Sequence, residues 1–186
     1  MKAHQPLHNR ILAAFMLILV SCAPVWAENP KVDALLAQLA QSTEENYAGI
    51  ESDILREWSK SGSAAMDLLL ERGKQAMQQG DYEAAIEHLT ALTDHAPDFA
   101  EGWNALATAY FQAGEFGPSI ANIRRTVALN PRHFGALAGF GMILEELGRD
   151  KQALEIYRAA LAIHPHLQGV LDGVKRLEDA SAGKAL

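Results

Sequence analysis

With 186 residues, 49% of them apolar, the chain is long enough to bury one sizeable core, and seven prolines leave little room for extended disorder. Its net charge is −7 and no basic stripe offsets it, which argues against nucleic acid or anionic lipid as a partner. Its one cysteine, Cys22, excludes an intramolecular disulfide.

Residues 1–27 have the features of an export signal. Lys2 and Arg10 precede an apolar run from Ile11 to Val20, too short to span a bilayer comfortably but suited to a secretory core segment. Two cleavage readings stand side by side. Val25-Trp26-Ala27 offers a small residue directly before Glu28, which suits soluble release. Leu19-Val20-Ser21-Cys22 has the form of a bacterial lipoprotein box, in which residues 1–21 are removed and Cys22 carries the lipid. Either reading sends the protein to the periplasm. The signal contributes two of the 16 basic residues and no acid, so the remainder carries 14 against 23 acidic, a net −9.

Residues 28–62 read as a helical hairpin and linker. Val32, Leu35, Leu36 and Leu39 share one face of the first helix. Tyr47, Ile50, Ile54 and Trp58 share one face of the second, with Ser42 and Glu45 in capping-box spacing ahead of it. This hairpin is expected to pack on the helices that follow it directly, with Ser63 as the N-cap of the next helix.

From there the chain repeats. Pro97, Pro131 and Pro165 are evenly spaced, and the same interval separates Gly80, Gly114 and Gly148; Gly73, Ala107 and Gly141; and Leu69, Trp103 and Leu137. Four columns with one period define units 66–99, 100–133 and 134–167. In each unit a small residue on the first helix (Gly73, Ala107, Gly141) permits close approach of a second. A glycine ends the first helix through a left-handed cap. Small residues Ala85, Ser119 and Ala153 and large residues Leu89, Ile123 and Tyr157 pack the second helix, and a proline marks its end. Residues 168–186 carry Val170, Leu171, Val174 and Leu177 at helical spacing and read as a capping helix and tail.

These columns resemble the tetratricopeptide repeat (TPR), most closely in the second unit, "W..LA..Y" from Trp103 to Tyr110 and on to Asn130-Pro131. The first unit departs with Arg72 and Ala76, the second with Ser119 and Pro118. The resemblance implies an all-α fold: a short right-handed α-solenoid of three helix hairpins, with the N-terminal hairpin and the C-terminal cap at its ends. It also implies a concave groove, lined by the first helix of each unit, that takes an extended peptide or a partner helix. By position the groove candidates are Asp67, Leu70, Lys74, Met77 and Gln78; Glu101, Asn104, Thr108, Phe111 and Gln112; and Gly135, Ala138, Met142, Glu145 and Glu146. Some TPR proteins hold a terminal carboxylate with Lys, Arg and Asn in this groove. Only Lys74 matches here; Leu70, Ala105, Gly135 and Gly139 stand at the other positions. Met77, Phe111 and Met142 are candidate apolar anchors, or else part of the superhelix core. The acids Asp67, Glu101, Glu145 and Glu146 would favour a basic partner. Gly135 and Gly139 leave room for a ligand backbone.

No catalytic constellation stands out: there is no nucleophile elbow, phosphate-cradling loop or cysteine pair. Glu145 and Glu146 read as a solvated helix face. His164 and His166 flank Pro165, and His95 and His133 lie near the equivalent prolines. Two imidazoles without a third ligand do not make a metal site, so these histidines are expected to cap helix C-termini. The sequence therefore points to a non-enzymatic protein–protein interaction module of the bacterial cell envelope, without cofactor or metal. The alternative is a Cys22-anchored lipoprotein assembly factor for a pilus or outer-membrane complex, docking by its convex face or its N-terminal hairpin.

Overall fold

The computed structural model describes residues 29–183, so the signal segment with both cleavage readings, and the last three residues, lie outside the described residues. Helices make up the fold: α1 (Pro30–Leu39), α2 (Tyr47–Trp58), α3 (Ala64–Gln78), α4 (Tyr82–His95), α5 (Ala100–Gln112), α6 (Phe116–Leu129), α7 (Phe134–Glu146), α8 (Asp150–Ile163) and α9 (Gln168–Gly183). No strand occurs among the described residues. Helices α3 to α8 form three antiparallel hairpins that stack in chain order, and α9 packs on α8.

The columns of the repeat are the columns of the core. Ala85, Ser119 and Ala153 are each fully buried, and Leu89, Ile123 and Tyr157 are at most 3% exposed. A Cβ added to Gly73 would lie 2.4 Å from Leu89 Cγ, so α3 and α4 touch backbone to side chain there. In the second unit the same contact is polar, with Ser119 Oγ donating to the Ala107 carbonyl at 2.8 Å. The helix-ending glycines have φ of 75° (Gly80), 79° (Gly114) and 67° (Gly148). Each closes a Schellman turn: the Gly114 N–H bonds the Phe111 carbonyl at 3.0 Å and the Glu115 N–H bonds that of Tyr110 at 2.8 Å. Gly114→Ala is therefore expected to cost about 1–2 kcal/mol, read as a lower urea midpoint.

Helix α9 continues the register, since Gln168 stands one full repeat after Phe134. At the close-packing position it carries Lys175 instead of a small residue, and no helix follows it among the described residues.

The N-terminal hairpin departs from expectation in two ways. Helix α2 starts at Tyr47, after the expected capping box, because Ser42 Oγ instead donates to the Leu39 carbonyl and closes α1. More importantly, the hairpin does not stack on the first unit. Its apolar face (Val32, Leu36, Leu39, Ile54) packs with Phe134, Ile163 and Leu167, which lie at the turns ending the second and third units. Those turns supply the aromatic and aliphatic surface that the hairpin's stripe needs. The linker after α2 allows the fold-back: Gly62 has φ 83°, and Asp67 accepts from Ser61 N–H at 2.8 Å and Ser61 Oγ at 2.6 Å. Ser63 is the N-cap of α3 by position, but its side chain makes no capping bond. Within the hairpin, Lys31 and Lys60 both reach Glu57, at 2.7 and 2.8 Å, and these hydrogen bonds hold its carboxyl down at about 2.

Candidate functional site

The first helices of the three units, α3, α5 and α7, pack side by side and carry the groove candidates on one face. Leu70 is not one of them in the folded protein: it is 1% exposed and belongs to the core with Leu89, Leu92, Ala105 and Leu106. Met77 is partly buried against that same core, whereas Met142 stands 46% exposed. The two methionines thus divide between core and surface. Phe111 is half-buried, stacked on Phe116 at 5.8 Å and packed against a core of Ala107, Ile123, Ala136 and Ile143. Ala138 packs partly against the core of the third unit. Gln78, Thr108, Gln112 and Glu146 are exposed, with the Thr108 hydroxyl donating to the Asn104 carbonyl at 3.0 Å.

Most of the groove's charge is spent internally. Glu101 is 7% exposed and accepts from three directions: Lys74 Nζ at 3.0 Å, Asn104 Nδ2 at 3.1 Å and His133 Nε2 at 3.1 Å. Burial raises its carboxyl, but the hydrogen bond from His133 and the charge and hydrogen bond of Lys74 outweigh it and hold the group below the usual carboxylate range. Lys74, the one residue in place to grip a terminal carboxylate, therefore already holds a carboxylate of its own chain. Glu145 receives a two-pronged bond from Arg176, Nε at 2.7 Å and an outer nitrogen at 3.0 Å, and also the Tyr157 hydroxyl at 2.9 Å. The Arg176 bonds, against burial, lower its carboxyl. Asp67 is held low by the Ser61 hydroxyl and amide. Of the four acids expected to attract a basic partner, Glu146 is the exposed one.

The space expected at Gly135 and Gly139 is there. A Cβ at Gly139 would meet nothing within 4 Å, and one at Gly135 would meet only the His133 ring at 3.6 Å. The open part of the groove is thus a shallow strip: Thr108 and Gln112 on α5, and Gly139, Met142 and Glu146 on α7.

Two parts of the site were not anticipated. Arg176 belongs to the groove because α9 repeats the register; it stands one full repeat after Met142, and counting one unit further would have found it. The second is the seat of the hairpin. Trp58 stacks on His133 at 4.5 Å and leans on Phe134 at 5.0 Å; Tyr47 stacks on His166 at 4.8 Å and meets His164 edge-on at 5.7 Å. Between the hairpin and the turns lies a cleft of about 1010 Å³ lined by Asp33, Trp58, Phe99, Glu101 and His133 among others. The histidines there do not donate to helix C-termini. His133 is the N-cap of α7, its Nδ1 accepting from the Ala136 N–H at 3.1 Å; His164 Nδ1 accepts from the His166 N–H at 3.2 Å. No sequence period links residues this far apart, so nothing in the repeat pattern signalled it. Among the described residues no group of three His, Cys, Asp or Glu could hold a metal ion, and no helix is long and apolar enough to cross a membrane.

Comparison with known proteins agrees with this architecture. The tetratricopeptide repeat family model matches residues 70–117 and 105–167. The chain belongs to the tetratricopeptide repeat family. A TPR repeat-containing protein of Rhizobium etli is 33% identical over 154 residues, covering 82% of this chain and 76% of that protein. Among solved structures, the first TPR of Spaghetti (RPAP3) bound to the HSP90 peptide SRMEEVD superposes with a TM-score of 0.62 at 25% identity, over 64% of this chain and 95% of that one. The MamA protein superposes with a TM-score of 0.59 at 20% identity, over 82% of this chain and 84% of that one, a likeness of fold.

Proposed function

We propose that this TPR chain is a non-enzymatic interaction module of the bacterial cell envelope that holds a peptide or helix of a partner protein across α5 and α7. The observation that carries the reading is Met142: a large apolar side chain, 46% exposed, beside a glycine with open space above it. Burying the rest of that side chain contributes about 1 kcal/mol, and the bare backbone at Gly139 lets a ligand come close. The first TPR of Spaghetti, bound to an HSP90 peptide, supports a peptide as a ligand for this fold. In this chain Lys74 is paired with Glu101, so the favoured ligand is an internal apolar segment, not a terminal carboxylate. Exposed Glu146 biases that segment toward a basic residue on its flank. The envelope location rests on the signal-like residues 1–27. Mass spectrometry of the mature N-terminus distinguishes release at Glu28 from lipidation of Cys22, the outcome that would favour the anchored assembly-factor alternative.

The test is cross-linked capture from the native envelope by wild type, Met142→Glu and Gly139→Leu. Each variant is expected to lose its partner at least tenfold, because one puts a charge and the other a bulky side chain where the ligand sits. Phe111→Glu is a poor probe, since Phe111 is part of the core and its loss would unsettle the fold. Capture that is equal for wild type and both folded variants would move the site off the groove.

A further inference from the structure

Two successive turns of the solenoid hold the hairpin with the same device built from different residues. At the turn after α6, Asn130 Oδ1 accepts from the Arg132 N–H at 3.1 Å, and the Arg132 side chain pairs with Asp33 of α1. At the same positions one repeat later, His164 replaces Asn130 and His166 replaces Arg132. His164 Nδ1 accepts from the His166 N–H at 3.2 Å, and His166 Nδ1 meets Glu44 Oε1 at 2.9 Å. The geometry is the same in the two turns, but the second version can gain and lose protons within the range ordinary for histidine.

The hydrogen bonds assign a charge to each ring. His164 is fully buried and its Nδ1 must accept, so its proton sits on Nε2; a second proton would face the His166 N–H donor and break that bond. Its Nε2 has no hydrogen-bond partner, the nearest acid being Glu51 Oε2 at 3.5 Å, with Tyr47, Phe134 and His166 as the other rings around it. His166 is the reverse case. Both its nitrogens face acceptors, Glu44 Oε1 at 2.9 Å and the Ser42 carbonyl at 2.9 Å, and only an imidazolium can donate to both. Tyr47 stacks on its face.

We propose that the α1–α2 hairpin is a clasp closed by two turn histidines in opposite charge states, seated most firmly where His164 is neutral and His166 is an imidazolium, and loosened as pH moves away from that window in either direction. Desolvation pushes the His164 ring below its ordinary value, against Glu51, so its contribution is present above about 6.5 and is lost as pH falls through the lowered value. The Glu44 and Ser42 bonds push His166 up, so its contribution is complete below about 6.5 and is lost as pH rises through the raised value. The two limbs leave a maximum near 6.5. Opening the clasp uncovers Phe134, Ile163 and Leu167 and frees the brace that ties the third unit to the start of the chain.

Hydrogen exchange of the α2 amides, corrected for intrinsic rates, tests this from about pH 5 to about pH 8.5, where histidine is the side chain that ordinarily titrates. Protection of α2 is expected to peak near the middle and to fall on both sides, by at most about tenfold per pH unit for one proton, while α5 and α6 stay level. His164→Asn and His166→Arg copy the neighbouring turn residue for residue. The first is expected to abolish the acid limb, the second the alkaline limb, and the double variant to give a flat profile with α2 still protected. A flat or one-sided profile in the wild type, or limbs that persist in the folded double variant, would overturn the proposal.

Discussion

Alanine at Gly139 is expected to stabilise the protein by about 0.5–1 kcal/mol, whereas alanine at Gly141, half a turn away on the same helix, is expected to destabilise it by about 2 kcal/mol. Both substitutions remove the same backbone freedom from the unfolded chain, so a propensity argument gives them one sign. Packing separates them. At Gly139 the new methyl meets nothing within 4 Å. At Gly141 it would lie 2.3 Å from Tyr157 Cδ1, closer than real carbon contacts come. Tyr157 is in no position to yield. It is 1% exposed, its hydroxyl bonds Glu145 at 2.9 Å, and its far edge already lies 2.8 Å from where a Cβ of Gly173 on α9 would stand. The ring is wedged between two glycines, and the strain must go into the spacing of α7 and α8. Urea midpoints of the two single variants, at unchanged slope, decide the matter. Equal shifts, or a gain in both, would mean that the third unit can spread without cost and that the small-residue column is not a packing constraint.

That pair also marks how far the sequence could be read. The repeat period made Gly73, Gly141 and the turn glycines legible because each repeats a local demand, a close approach or a left-handed cap, that one residue type meets. The same logic identified Leu89, Ile123 and Tyr157 as core. It failed for Leu70, because position in a unit says which way a residue points but not how deeply its neighbours cover it; Leu92, Ala105 and Leu106 close over Leu70. It failed more broadly for the hairpin. Whether Trp58 meets α3 or His133 depends on a long-range choice among apolar surfaces, and a stripe on α2 carries no record of its complement. Two of the histidines were misassigned for the same reason: near prolines, His133 and His164 resemble helix-terminal donors, and only the fold reveals them as acceptors at a helix start and a turn. The acids read as bait for a basic partner because their internal partners, Lys74, His133 and Arg176, lie most of a repeat away on other elements.

Glu101→Ala is expected to be the most damaging of the groove substitutions, at about 3 kcal/mol, although Glu101 lies on the face that sequence reasoning assigns to a ligand. Removing the carboxylate strands His133, which is 1% exposed and has committed Nδ1 to the Ala136 N–H, so its Nε2–H is left buried with no acceptor. Such a stranded donor costs about 1–3 kcal/mol by itself. Lys74 loses its ion pair but, with its side chain 31% exposed, can turn to water, which keeps the total at the lower end for a broken buried pair. Glu101→Gln should cost less, about 1 kcal/mol, because its carbonyl oxygen can still accept from His133 while only the Lys74 charge pairing is lost. The carboxyl is held below its usual range, so its contribution is present above that range and disappears as pH falls through the lowered value; the glutamine variant should therefore show a shallower acid limb of unfolding. The effect should also reach the hairpin, because Trp58 rests on the His133 ring. Loss of α2 protection in Glu101→Ala, with α8 and α9 unaffected, would show that one buried carboxylate on α5 sets both the groove floor and the seat of the clasp. An alanine variant as stable as the glutamine one would mean that His133 finds another acceptor, and the coupling between groove and hairpin would then have to run through Lys74, whose Nζ reaches Ser59 Oγ at 3.4 Å, and the apolar contacts of Phe134.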